Sequence, residues 1–349
     1  MGWVLINIIP AMGFGFIFQL IIHEVGHLIG GLISGWRFLY LQIYRLVIKW
    51  ENKWLNITTT REVGCKCIMY PKSINQAARL YTMGGYMLNL ISSVIGLFLL
   101  IFASISPVMW LYIWSFVAFG IGLFFMNGIA SIKRVCNDKA CYNLIKADKH
   151  NKLCHNAQLI TARHLINGLT YSEIGEEILC LCPEVAENDI QAYQAILEYY
   201  YFLDNNNILK VGQALNKIRN KNNISGNMLR LVDMELIYIR LICGIHIHNK
   251  NMDVKNSSDT ENTKRPWLND AEAFFNIKQK DIHFDRVKAV YDAYTQYANG
   301  SSEKAIVTLN KALYLMEKSN FIYGGEKEFC IKQLLWVKKI MEYEEKEAK

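Results

Sequence analysis

Three stretches of this 349-residue chain, Trp3 to Ser34, Ala77 to Ala103 and Pro107 to Ala130, are long and apolar enough to cross a bilayer as helices. The hydrocarbon core of a membrane is about 30 Å thick and needs about 20 helical residues. No charged residue occurs from Tyr81 to Ile132, which argues for membrane spans rather than buried helices of a water-soluble enzyme. The first stretch lacks the basic leader of a signal peptide and outruns the usual apolar length of one. It also carries His23, Glu24 and His27, which a signal peptide does not need.

Charge divides the chain in the same way. Residues 1 to 149 hold 13 Lys/Arg against 5 Asp/Glu, whereas residues 150 to 349 hold 25 against 26. The whole excess of +7 therefore sits in the apolar half. Basic residues beside long apolar runs suit loops facing anionic lipid better than a nucleic-acid surface, so no nucleic-acid partner is expected. The loop after the first span contains Arg37, Arg45, Lys49, Lys53, Arg61, Lys66, Lys72 and Arg79, and the exit from the third contains Lys133, Arg134 and Lys139. By the positive-inside rule both lie in the cytoplasm, as does the C-terminal half of a multi-pass protein of the cell membrane. The nine cysteines are then expected to be mostly reduced thiols.

Pro10 fits the first position of the first helix, which runs to the cluster Gly30, Gly31 and Gly35. Residues 37 to 70 turn to β-branched and aromatic types with partial alternation, predicting two to four short strands. Trp36, Trp50 and Trp54 among basic residues place this small sheet at the membrane interface. From about His150 onward the pattern is polar and helical. Ala289 to Leu315 resembles one tetratricopeptide unit, Tyr193 to Ile218 is a weaker second, and Asn249 to Arg265 reads as an unstructured insertion. The expected architecture is mostly α: a membrane core over 1–149 with three spans and an interfacial sheet, then a soluble, helical repeat-like domain over 150–349. Stacked helix pairs present a concave surface, so this second domain is expected to bind a protein partner or a substrate tail.

His23-Glu24-Val25-Gly26-His27 is a HExxH pattern. One helical turn separates the two imidazoles, so both can ligate one zinc ion, and Glu24 can reach a water acidified by that metal. Three ionisable side chains in an otherwise uncharged span cost several kcal/mol without a partner, which points to a metal or to a buried polar network. A zinc enzyme of this type needs a third protein ligand. Asp138 is the single acidic residue between Glu62 and Asp148, and it follows the third span. Its position suits either a ligand or an interfacial aspartate pairing Lys133, Arg134 or Lys139.

The order of motifs resembles the site-2 protease family of intramembrane zinc metalloproteases. That family carries HExxH on the first of three core spans, Gly-Pro-x-x-Asn on the second, and an Asn followed later by Asp-Gly on the third. Here Gly85-Tyr86-Met87-Leu88-Asn89 keeps the glycine and asparagine with tyrosine for proline, Asn127 opens the third motif, and Asn137-Asp138-Lys139 closes it with lysine for glycine. The resemblance covers roughly residues 10 to 145. It implies that Asp138 is the third zinc ligand and that Asn89 positions the substrate backbone or polarises its carbonyl. It further implies a hydrolase that cleaves membrane-anchored proteins or peptides with Glu24 as general base. The sheet over 37–70 is similar to the membrane-associated sheet of that family, where an unwound substrate could add as a strand.

Cys65, Cys67, Cys136 and Cys141 are expected to be scattered thiols rather than a second metal site. His150, His155, His164, His246, His248 and His283 show no metal-ligand spacing and are expected to be surface or packing residues. The competing function is a membrane scaffold that has kept the fold, lost efficient proteolysis and acts through its helical domain. Intact Glu24 speaks against it.

Overall fold

The computed structural model describes residues 6–51, 54–133, 135–218, 223–252, 266–276 and 281–347. Residues 3–5 of the first expected span, and most of the expected insertion 249–265, lie outside them. The chain forms two compact units, the first comprising Met1–Arg163, Gly175–Glu198 and Asn216–Met228.

Three long helices dominate this first unit: α1 (Ile8–Ile33), α2 (Arg79–Phe102) and α3 (Pro107–Gly128). Each packs on the other two. Pro10 is the third residue of α1 rather than its first, tolerated because amides of the first turn have no intrahelical partner. The burial pattern inverts that of a water-soluble bundle. α1 turns Gly15, Gln19, His23, Glu24, Gly26 and His27 inward, and α2 turns Gly85, Asn89, Ser93 and Gly96 inward. Phe16, Ile17, Phe98, Ile101, Trp110 and Phe125 remain exposed. Small and polar residues inside with apolar residues outside is the packing expected in lipid, and all three helices are long and apolar enough to span a membrane.

α1 and α2 meet through glycines. A Cβ on Gly26 would stand 2.3 Å from the Gly84 carbonyl oxygen, and one on Gly84 2.2 Å from that of Gly26. Neither position can hold a side chain without separating the helices.

Between α1 and α2 the chain forms one antiparallel hairpin of two long strands, β1 (Arg37–Glu51) and β2 (Trp54–Tyr70), rather than two to four short ones. Register runs from Arg37↔Tyr70 to Glu51↔Trp54, with irregularities at Phe38/Tyr40 and Tyr44/Leu46. The second is where Tyr44 adopts φ 58°, and these local breaks in alternation make the strands look fragmented in sequence. The base of the hairpin joins a core of Trp36, Cys67, Met69, Tyr81, Ile145, Cys154 and Ile190.

That core also corrects the expected domain boundary at 149/150. After α4 (Asp138–Ala147), helix α5 (Lys149–Ile166) contributes Cys154 to it, and Asn156 Nδ2 donates to the carbonyls of Ile74 and Gln76 at 2.9 and 2.8 Å. Most of α5 therefore belongs to the first unit. Two short helices follow, α6 (Tyr171–Ile174) and α7 (Glu176–Leu179), and then α8 (Asp189–Asp204), which supplies Ile190.

The second unit comprises His164–Ile174, Tyr199–Leu215 and Leu229–Lys349. It holds most of α9 (Ile208–Asn216) and α10 (Gly226–Met252), then α11 (Pro266–Phe275), α12 (Ile282–Ala298), α13 (Ser302–Lys318) and α14 (Gly324–Glu347). α12 and α13 form the helix pair expected over 289–315, turning at Gly300 with φ 76°. Tyr193 to Ile218 does not form a second pair within one unit, because the division falls after Glu198. At the centre, Arg286 Nη2 donates to both oxygens of Glu235 at 2.7 and 2.6 Å, and Tyr199 and Tyr200 donate to the same carboxylate. Both charges are fully buried. Removing one partner strands the other, so Arg286→Met is expected to cost about 3 to 5 kcal/mol. A denaturation midpoint within error of wild type would contradict this.

Candidate metal centre

α1 presents His23 and His27 one turn apart, with their Nε2 atoms 3.2 Å from each other. Asp138 Oδ2 approaches those atoms to 3.1 and 3.4 Å. The tautomer of each imidazole follows from its other nitrogen. His27 Nδ1 lies 2.7 Å from the Tyr81 carbonyl, which can only accept, so Nδ1 carries the proton. His23 Nδ1 lies 2.7 Å from Asn89 Oδ1, whose identity is set because Asn89 Nδ2 donates to the Gln19 carbonyl at 2.8 Å. His23 is therefore also protonated at Nδ1.

In the neutral imidazoles both Nε2 atoms then aim lone pairs at the carboxylate. Asp138 Oδ2 is buried and accepts no hydrogen bond. Burial by itself raises the Asp138 carboxyl, so its anion needs a cation beside it. Three converging electron donors repel one another unless a cation lies between them. The separations of 3.1 to 3.4 Å suit the edges of a tetrahedron with bonds of about 2.0 to 2.1 Å. His23, His27 and Asp138 thus form a group that could hold a metal ion.

Gly85 keeps that space open. A Cβ there would stand 2.5 Å from His27 Nε2 and 2.7 Å from His23 Nε2. Tyr86 is buried and packs near Phe124.

Asp138 is placed by its neighbour. Asn137 caps α4, its Oδ1 accepting from Ala140 N and Ser131 N, both at 3.1 Å. Its Nδ2 donates to the carbonyls of Met126 and Ile129 at 2.8 and 2.7 Å, tying the end of α3 to the start of α4. Asp138 is the first helical residue and Lys139 the second. Asn137→Ala is expected to weaken metal binding by about 10- to 100-fold with Asp138 intact. Unchanged affinity in a chelator competition would refute it.

Glu24 Oε2 accepts from the backbone N–H of Cys67 at 2.6 Å, while the Cys67 carbonyl accepts from Tyr81 OH at 2.8 Å. Both main-chain groups of Cys67 thus face away from β1, and the outer edge of β2 borders the centre. A cavity of about 500 Å³ opens there, lined by the metal-site residues, Cys65, Cys136, Asn127 and His155 among others. Burial, reinforced by Glu24, pushes the Cys65 and Cys67 thiols up to about 12, and burial does the same to Cys136. Their thiolate fractions are about a thousandfold below that of an ordinary thiol. At neutral pH, Cys65 and Cys136 are expected to alkylate far more slowly than exposed Cys243, as followed by mass spectrometry.

The structure thus brings His23, Glu24, His27 and Asp138 together, with Asn89 behind His23. Both ends of the Asn89 amide are engaged by His23 and Gln19, and the residue does not line the cavity. Sequence reasoning passed over Gln19 and Tyr81 and named Asn137 only as the motif residue before Asp138, with no role of its own. Gln19 left a trace, as an amide one turn before His23 on the same face. His155, expected to be a surface or packing residue, lines the cavity, and burial lowers its pKa to about 4. Comparison with protein-family models, curated proteins and solved structures finds no match to this chain.

Proposed function

We propose that the chain is a zinc-dependent endopeptidase of the membrane, of the kind its motifs resemble, acting on membrane-anchored proteins or peptides. The observation that carries this reading is the convergence of His23, His27 and Asp138 lone pairs within one turn of Glu24. Two neutral imidazoles and one carboxylate are a donor set suited to catalytic zinc, leaving a coordination position free. Zinc held there would acidify water and polarise the scissile carbonyl.

The remaining work falls to the protein. Glu24 takes a proton from the attacking water and returns it to the departing amine as the carbon–nitrogen bond breaks, so no net proton is consumed. Cys67 N–H fixes the Glu24 carboxylate, and Tyr81 holds both His27 and the strand edge. An unwound substrate segment can lie along the outer edge of β2, presenting its peptide bonds to the cavity. The basic loops put this centre and the helical second unit on the cytoplasmic side, with the latter contacting a partner or a substrate tail.

Purified full-length protein in detergent is expected to carry one zinc per chain. It should cleave a membrane-anchored reporter, lose that activity on chelation and recover it on zinc addition. Cleavage that survives complete metal removal would overturn the proposal, and stoichiometric absence of metal would favour the scaffold.

A further inference from the structure

Gln19 is fully buried in the middle of α1, touches none of the reacting groups, and has no role in the mechanism above. An amide inside a membrane-spanning bundle is costly unless every polar atom is used. Here all are. Gln19 Nε2 donates to the Phe116 carbonyl of α3 at 3.1 Å and to Ser92 Oγ of α2 at 3.2 Å. Gln19 Oε1 accepts from Asn89 Nδ2 at 2.8 Å. Asn89 Oδ1 then receives the proton of His23 Nδ1 at 2.7 Å.

This chain has only one possible polarity. The Phe116 carbonyl cannot donate, so the amino end of Gln19 must face it, and the oxygen end must face Asn89. The Asn89 amino group is thereby turned to Gln19, reaching both its Oε1 and its main-chain carbonyl at 2.8 Å, and its oxygen to His23. A reversed Asn89 would oppose two donors at His23 and two acceptors at Gln19. α3 leaves no room for a shifted arrangement, since a Cβ on Gly120 would stand 2.5 Å from Gln19 Nε2.

We propose that Gln19 is a positioning residue of the metal centre, transmitting the fixed polarity of the Phe116 carbonyl through Asn89 to lock His23 as an Nε2 donor. The proposal rests on the metal-centre reading above. Partners that orient a metal-bound imidazole commonly contribute 10- to 100-fold in metal affinity.

The test uses the full chain in detergent with Co2+ alone as probe, measuring affinity by chelator competition and site geometry by visible absorption. Gln19→Met keeps length, apolar fit and the main-chain carbonyl that Asn89 Nδ2 also reaches, but removes the side-chain relay from Phe116 to Asn89. It is expected to weaken Co2+ binding by about tenfold and to alter the absorption bands. Gln19→Glu, protonated in this setting, offers one donor to Phe116 and one acceptor to Asn89, and should restore the wild-type spectrum. Ser92→Ala removes the hydrogen bonds of Ser92 Oγ with Gln19 and with the Asn89 carbonyl but keeps the order Phe116–Gln19–Asn89–His23, and should leave affinity within about twofold. Because Gln19 acts through Asn89, the Gln19→Met/Asn89→Leu double variant should bind no more weakly than Asn89→Leu alone.

Wild-type affinity and spectrum in Gln19→Met would overturn the proposal. So would an equal loss in Ser92→Ala, or additive losses in the double variant, since either marks general packing. Failure of the wild-type protein to bind Co2+ at all would instead remove the metal-centre reading on which the proposal stands, and the proposal with it.

Discussion

Glu24→Gln is expected to reduce cleavage by about 10²- to 10⁴-fold, the usual contribution of a positioned general base, while zinc content stays at the wild-type level. The prediction follows from where the two functions sit. Glutamine retains an oxygen that can accept the Cys67 N–H at the position of Oε2, so the side chain and β2 should stay in place. It cannot take a proton from water. The candidate metal donors, His23, His27 and Asp138, are untouched by the change. Zinc analysis and turnover on the same preparation separate the two functions. Full activity in this variant would exclude Glu24 as the base, and parallel loss of zinc would mean that the carboxylate supports the metal instead.

Gly85→Ala should have a comparably large effect by the opposite route. The added methyl group would crowd both Nε2 atoms, at 2.5 and 2.7 Å. The neighbours that must give way are metal donors rather than the free end of a flexible chain. Metal affinity is expected to fall by more than about 100-fold, with cleavage falling alongside and helical content retained. Gly122→Ala provides the control, because nothing lies within 4 Å of a Cβ there. Equal zinc retention in the two variants would show that the space above Gly85 is not where the ion sits.

The legible parts of this protein were those written in local pattern. Apolar length marks α1, α2 and α3 within a few residues, because a helix in lipid needs only its own sequence to satisfy its backbone. The HExxH spacing puts both imidazoles on one helical face without reference to any other element. Asp138 could be singled out as an isolated carboxylate, but its neighbour Asn137, which spends all four of its hydrogen bonds on placing it, looks like any polar loop residue in sequence. The same holds for Tyr81, whose hydroxyl and carbonyl serve two different elements. The single hairpin was obscured because its irregularities interrupt the alternation that identifies a strand. The boundary at 149/150 was misplaced for a related reason: a polar helix surface does not reveal that Cys154 and Asn156 reach back to the first unit.

The placement of the donors also sets an order of events at the ribosome. His23 and His27 emerge together, whereas Asp138 is made 111 residues after His27, and its placement needs the end of α3 for Asn137 to bind. A nascent chain stalled before that point displays two imidazoles and a glutamate but no third donor. On the proposed reading, a complete donor set therefore exists only once the third helix and the first turn of α4 have been made, and a product truncated upstream of Asp138 lacks the third donor.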